Sequence, residues 1–136
     1  MLLLLAGTGE ARIFATALAA EGVPVIASLS GATREPKPLA VKSRSGGFGG
    51  EAGFRAFLAS ENVSAIMDAT HPFAARISQR SARVAADLGV PYLQFLRPEW
   101  QAETGDNWTM IDREEHAADH ILPGAQVFLA TGRQTL

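Results

Sequence analysis

The chain has 136 residues, 47% of them hydrophobic, the length of one ordinary domain with enough apolar material for a core. A formal net charge of -2 and the lack of any basic run count against nucleic acid and anionic membrane as partners, and no segment reads as a membrane span. With no cysteine there is neither a disulfide framework nor thiolate metal ligation, so the cytoplasm is the expected compartment.

Residues 2–12, LLLLAGTGEAR, open the chain with a short leucine run, a glycine turn and the start of a helical pattern. The leucines predict a buried parallel strand; they lack the basic leader and the length of a signal peptide. A Cβ in the turn would keep backbone N–H groups away from a pyrophosphate oxygen, so glycine there suits a phosphate cradle. Gly7 and Gly9 supply the first two glycines of a dinucleotide fingerprint, while Arg12 stands where the third would be. An ordinary strand-to-helix connection is the competing reading. Ile13, Phe14, Ala17 and Leu18 then recur at helical spacing, with Glu10, Arg12, Thr16 and Glu21 between them, and Gly22 ends the helix. The amino end of that helix points free N–H groups at any anion in the turn.

Residues 23–29, VPVIASL, predict a second strand, and strand, helix and strand in about thirty residues imply a right-handed parallel crossover. NAD-specific versions of this unit carry an acidic residue near the end of the second strand. Here Ser28, Ser30, Gly31 and Thr33 stand there, followed by Arg34, which favours a ribose 2′-phosphate and hence NADP over a plain polar loop. Only Lys37 and Lys42 among the 12 cationic residues are lysines, and the arginine fork suits phosphate and carboxylate, although base composition gives the same bias. Pro36 and Pro38 precede a third strand expected over 39–44. Next comes GGFGG, in which Phe48 either meets a cofactor ring or partner domain or plugs the core from a bulged turn.

A second helix from Glu51 is expected to bury Phe54, Phe57 and Leu58, and residues 63–69 predict another buried strand that runs into DATHPF. Pro72 is placed as the first residue of a helix, and a third helix is expected over about 74–88 with Ile77, Ser81, Val84 and Leu88 inward. Thr70 and His71 then fall at the carboxyl end of a strand, where open α/β sheets bind ligands. Three roles are open to His71: hydrogen-bonding a cofactor phosphate or ribose, donating a proton, or capping the helix. Arg76, Arg80 and Arg83 share another face of that helix, read as solvated.

A strand over 92–96 is followed by a loop with Trp100 and Trp108, a helix over 112–122 with Ala117, Ala118, Ile121 and Leu122 inward, and a last strand over 126–130. His116 and His120 lie four apart, but no third ligand accompanies them, so no metal is expected. Thr131, Gly132 and Arg133 follow the last strand as a strand-to-helix loop would. The unit looks unfinished, which predicts a second domain in the native polypeptide and a ligand crevice lined by this chain on one side. The fold expected is α/β, a Rossmann-like open parallel sheet with helices on both faces.

LLLAGTGEAR, SGGFGG, DATHPFAARIS, the RP-W of the tryptophan loop and TGRQ, in this order, resemble precorrin-6A reductase of cobalamin biosynthesis along essentially the whole chain. The resemblance implies the amino-terminal, NADP-binding domain (1–136) of a two-domain, NADPH-dependent oxidoreductase that passes hydride to one carbon–carbon double bond of the tetrapyrrole precorrin-6A, giving precorrin-6B. It implies that Gly7, Thr8, Gly9, Glu10, Ala11 and Arg12 meet the pyrophosphate and that Ser28, Ser30, Gly31 and Arg34 hold the adenosine ribose and 2′-phosphate. Gly46, Gly47, Phe48 and Gly49, with Thr70, His71, Pro72 and Phe73, would border the ribose and nicotinamide. Thr131, Gly132, Arg133 and the helix arginines would face the substrate carboxylates, and His71 is one source of the completing proton. Two other readings stand beside this one: a non-catalytic NADP-binding or sensor domain, and a flavodoxin-like interaction module without a dinucleotide.

Overall fold

The leucine run becomes β1 (Leu2–Leu5), the hub of a five-stranded sheet. In chain order there follow α1 (Gly9–Ala20), β2 (Val25–Leu29), β3 (Lys42–Ser45), α2 (Gly50–Ser60), β4 (Ala65–Asp68), α3 (Ala75–Leu88) and β5 (Tyr92–Gln94). All four strand pairs are parallel and the order is β3-β2-β1-β4-β5, with Leu2 opposite both Val25 and Ala65 and Leu5 opposite both Ser28 and Asp68. The computed structural model describes residues 1–31, 38–98 and 100–128. It divides into two units, Met1–Pro98 and Glu99–Leu136.

Because successive side chains of a strand point to opposite faces, β1 serves two cores at once. Leu3 and Leu5 join Ile26 and Ile66 against Phe54 and Leu58 of α2 and Val84 and Ala85 of α3. Leu4 joins Ala27 against Ala11 and Ala15 of α1. Phe54 is fully buried, a placement that contributes about 1.5–3 kcal/mol for a side chain of that size. The α1 side is lined mostly by alanine, so that helix can lie close to the sheet. This corrects the expected inward set: Ala11 and Ala15 are buried with Phe14 and Leu18 half-buried, whereas Ile13 is 68% exposed and Ala17 faces solvent. Leu88 at the end of α3 is likewise about half exposed rather than inward.

The helices stop by one device. Gly22, Asn62 and Gly89 each take a left-handed φ, and the next residue's N–H donates back to the carbonyl of Leu18, Leu58 or Ala85. The α3 start differs from expectation, because the Ala74 N–H bonds the His71 carbonyl at 2.8 Å, closing a turn. Pro72 therefore sits inside that turn, ahead of the helix rather than in its first position. β3 is shifted and β5 is shorter than expected, as befits edge strands with few buried side chains.

In the second unit the helix expected over 112–122 is a 3-10 helix, Glu114–His120. Of its expected inward residues, Ala117 is half-buried, while Ala118, Ile121 and Leu122 are exposed. Residues 126–128 form no strand; 129 and 130, with Thr131, Gly132 and Arg133, lie outside the described residues, as do Thr33 and Arg34. Trp100 and Trp108 are both exposed. Among the described residues no helix is long and apolar enough to cross a membrane.

Candidate functional site: a cleft at the strand ends

The strand order places a reversal between β1 and β4: the chain leaves β1 for α1 on one face and leaves β4 for α3 on the other. The two departing loops part and leave a crevice at the carboxyl ends of the strands. A cleft of about 240 Å³ lies there. Its walls are Leu5–Gly7 from the β1 turn, Ser28 and Ser30 from the end of β2, Gly46–Phe48 from the loop after β3, Thr70 and His71 after β4, and Ala74, Ile77 and Arg80 at α3. Of the expected cofactor residues it gathers Gly7, Ser28, Ser30, Gly46, Gly47, Phe48, Thr70 and His71. Thr8, Gly9, Glu10, Ala11, Arg12, Gly31, Gly49, Pro72 and Phe73 do not line it.

Thr8 caps α1, accepting from the Ala11 N–H at 3.2 Å while its hydroxyl donates to the Ala69 carbonyl at 2.8 Å. It thereby ties the β1 turn to the end of β4 across the reversal. Arg12 donates to the Pro38 carbonyl at 2.6 Å and so braces the segment before β3. Glu10 accepts a two-pronged ion pair from Arg97, at 2.7 and 2.9 Å. That guanidinium, helped by a backbone hydrogen bond, holds the Glu10 carboxyl below the usual carboxylate range. With these side chains engaged by the protein, the turn offers an anion its backbone and open room. A Cβ placed on Gly7 or Gly9 would meet nothing within 4 Å.

The GGFGG loop is held from beneath by a residue the sequence reading passed over. Arg44, near the end of β3, donates to the Ser28 hydroxyl at 2.8 Å and to the carbonyls of Gly46 and Gly47, both at 2.9 Å. Its guanidinium also lies 4.3 Å from the centre of the Phe48 ring. Phe48 meets Phe54 and Phe57 edge to face at 4.8 and 5.1 Å, the packing of a core plug, and it also forms part of the cleft wall. The signal was an arginine just upstream of a glycine loop with carbonyls to satisfy.

Gly53 was missed as well, and the reason for glycine there is steric. A Cβ on Gly53 would stand 1.8 Å from the Phe48 carbonyl oxygen, so the loop rests directly on α2. Gly53→Ala is expected to push the loop off the helix and destabilise the protein by about 1–3 kcal/mol, the usual range for overpacking, despite alanine's better helix propensity. A urea unfolding midpoint at or above wild type would contradict this.

Beneath Thr70 lies a buried polar network. Asp68 is 1% exposed, and its carboxylate accepts from the Thr70 N–H at 3.0 Å, the Thr70 hydroxyl at 2.7 Å and the Tyr92 hydroxyl at 2.7 Å. Burial, then the bond to Asp68, pushes the Tyr92 phenol well above its ordinary value. A raised phenol favours the protonated native state, so this contribution is complete below about pH 10 and lost above it, as the unfolded chain ionises first. The lowered Glu10 acts in the opposite sense: its contribution is present above the unfolded value near 4.5 and lost as pH falls through the native one. Urea midpoints against pH should therefore show a plateau with both limbs falling, and Tyr92→Phe should flatten the alkaline limb alone.

His71 is exposed at the cleft edge, its Nδ1 accepting from the Phe73 N–H at 3.3 Å and its ring edge-on to Phe73 at 4.8 Å. Nδ1 thus serves the turn, which leaves Nε2 to carry the proton of the neutral ring. The arginines of α3 separate: Arg83 pairs with Glu51 and Arg76 is exposed, but Arg80 is half-buried and reaches the cleft. Among the described residues no group of three or more histidine or acidic side chains is placed to hold a metal ion.

A parallel sheet with its crevice at a strand-order reversal, floored by a glycine turn, defines an α/β protein of the Rossmann-like class. The family model for precorrin-6x reductase CbiJ/CobK matches residues 1–136, and the chain belongs to that family. It is 44% identical over 135 residues to "Precorrin-6A reductase" of Sinorhizobium sp, a match covering 98% of this chain and 52% of the relative. It is 37% identical over 139 residues to "Cobalt-precorrin-6A reductase" of Priestia megaterium, covering 100% of this chain and 54% of that protein. The solved structure of "CobK precorrin-6A reductase" matches 90% of this chain and 48% of its own, with a TM-score of 0.81 and 42% identity. The chain thus spans about half the length of the relatives it matches.

Proposed function

We propose that this chain is the amino-terminal, NADPH-binding half of an oxidoreductase of cobalamin biosynthesis that reduces one carbon–carbon double bond of precorrin-6A to give precorrin-6B. The observation that carries the reading is the cleft at the reversal, where Gly7, Gly46 and Gly47 leave room that Cβ atoms would fill. Such a cradle fits a dinucleotide, whose nicotinamide supplies the hydride when bound.

The chain's own residues do the holding. The β1 turn and the amino end of α1 offer N–H groups to the pyrophosphate, as expected of Gly7, Thr8, Gly9, Glu10, Ala11 and Arg12, though the side chains of Thr8, Glu10 and Arg12 act by bracing. Ser28, Ser30 and Gly31, with Arg34, serve the adenosine ribose and its 2′-phosphate; no acidic residue stands at the end of β2 to repel that phosphate. Gly46–Gly49 and Thr70–Phe73 border the remainder, and the Nε2 proton of His71 is available at the cleft edge. Thr131, Gly132 and Arg133 face the macrocycle's carboxylates in this reading, and the rest of the polypeptide closes the crevice from the other side.

Calorimetric titration of the full-length polypeptide with NADPH and NADH tests the cofactor, and loss of nicotinamide absorbance on adding precorrin-6A tests the reaction. Preference for NADPH with turnover is the expected result. Binding of NADPH with no turnover would leave a non-catalytic NADP-binding or sensor domain, and binding of neither dinucleotide would end the proposal. Arg34→Ala is expected to weaken NADPH about tenfold or more while leaving NADH nearly unchanged, by loss of one charge-assisted contact.

A further inference from the structure

Two guanidinium groups flank Phe48, and among the described residues neither is paired with an acid. Arg44 spends its donors on a hydroxyl and two carbonyls, all neutral. Arg80 lies 5.1 Å from the centre of the Phe54 ring and 5.8 Å from that of Phe48, and its Nε is buried without a hydrogen-bond partner. Among the described residues, neither has a carboxylate within ion-pair distance. The acids nearby in the fold are already used, since Glu51 bonds Arg55 and Arg83, and Arg55 also bonds Asp87.

Stacking on an aromatic ring stabilises a guanidinium by about 0.5–2 kcal/mol, but it satisfies none of its N–H donors. A charged donor left unmatched in a partly buried site costs about as much as that or more. An arrangement that keeps this cost in the free protein is suited to recovering it when an anion arrives. Arg80 lines the same cleft as Ser28, Ser30, Gly46 and Gly47, and its contact with Phe48 puts it beside the loop after β3. In a sheet of this order the end of β2 is where a dinucleotide's adenosine ribose lies.

The geometry points to Arg80, backed by the charge of Arg44, as a binding residue for a phosphate monoester, the 2′-phosphate of NADPH. This rests on the dinucleotide reading above and adds to Arg34 a second residue, on the helical wall, that discriminates between the two nicotinamide cofactors. Two uncompensated positive charges match a dianion better than a single carboxylate. Arg44 anchors the loop and lends its field, while Arg80 lines the cleft with its Nε donor unspent.

The experiment uses the full-length polypeptide and two variants, Arg80→Gln, which keeps bulk without charge, and Arg80→Lys, which keeps charge without the fork. Kd is measured by calorimetry for NADPH and NADH, and competition by adenosine 2′-monophosphate and 5′-monophosphate is measured alongside. The expected result is a loss of at least tenfold in NADPH affinity for Arg80→Gln, NADH within twofold of wild type, a smaller loss for Arg80→Lys, and selective loss of competition by the 2′-monophosphate. The melting temperature of the free Arg80→Gln protein should be no lower than wild type, because Nε donates no hydrogen bond in the native state that the substitution would remove. Equal weakening of both dinucleotides overturns the assignment and marks Arg80 as a support of the cleft wall. Unchanged binding of both with a raised KM for the tetrapyrrole overturns it in favour of a substrate carboxylate. If wild type binds neither dinucleotide, the cofactor reading has failed before the variant is considered; if wild type binds NADPH and only the variant result is missing, the failure belongs to Arg80.

Discussion

Replacing Gly9 with valine is expected to leave the fold standing and to weaken NADPH by about a hundredfold or more, roughly 2.7 kcal/mol. The two halves of that statement have separate causes. Gly9 opens α1 with no left-handed φ, and a Cβ there meets nothing within 4 Å, so the free protein has room for the new side chain. The same room is what a pyrophosphate would occupy against the helix amino end, and a branched side chain would keep the phosphate oxygens from the backbone N–H groups. Calorimetric Kd values together with a melting curve decide it. Intact melting with unchanged NADPH affinity would mean that the glycine turn is only a connection between strand and helix.

The largest expected loss of stability follows from Asp68→Ala, at about 3–5 kcal/mol. Three donors, the Thr70 N–H, the Thr70 hydroxyl and the Tyr92 hydroxyl, lose a charged acceptor in a site that is 1% exposed, and a buried donor stranded in this way costs about 1–3 kcal/mol. Contributions within one network do not add in full, hence the lower total. Measured against the 5–15 kcal/mol that holds an ordinary domain together, this is a large share. Asp68→Asn should be much milder, because its carbonyl oxygen can still accept from Thr70 while its amide donates to the Tyr92 oxygen. Urea unfolding of both variants gives the comparison, and near-equal losses would show that the carboxylate's charge, rather than its acceptor geometry, holds the network. Thr70 lines the cleft, so the alanine variant should also blunt the shape of the site itself.

What could be read from the sequence was whatever is written in neighbouring residues. The leucine run, the glycine turn, the β2 pattern and the helix-ending glycines Gly22 and Gly89 are local signals, and together they imply a parallel sheet with its loops at one end. Periodicity failed where two faces were nearly equivalent. In α1 the larger Ile13 was expected inward, but proximity to the sheet selects Ala11 and Ala15, a matter of distance between layers that spacing does not encode. Gly53 carried no local signal, because what requires glycine there is the Phe48 carbonyl, brought against it from the loop before the helix. Arg44 and Arg80 were obscure for a related reason: their partners are carbonyls, a hydroxyl and ring faces brought together from separate elements. Of the residues expected to meet a pyrophosphate, Gly7 lines the cleft, whereas the side chains of Thr8, Glu10 and Arg12 turn to other parts of the protein. The second unit offered a weak apolar pattern, and its expected helix proved too poor in inward residues to form more than a 3-10 turn.

The central position of β1 also governs how such a chain must come into being. Its left and right neighbours in the sheet are β2 and β4, so Leu2 finds its second partner only when Ala65 has been made. The four consecutive leucines can pair with β2 once Val25–Leu29 is made, but their other edge stays open until Ala65–Asp68 follows. Parallel pairings of this range close slowly, because long loops must be brought together before any contact rewards them. Until then the strand that ends in the cleft's glycine turn presents an unpaired apolar edge, the kind of surface on which another chain can pair.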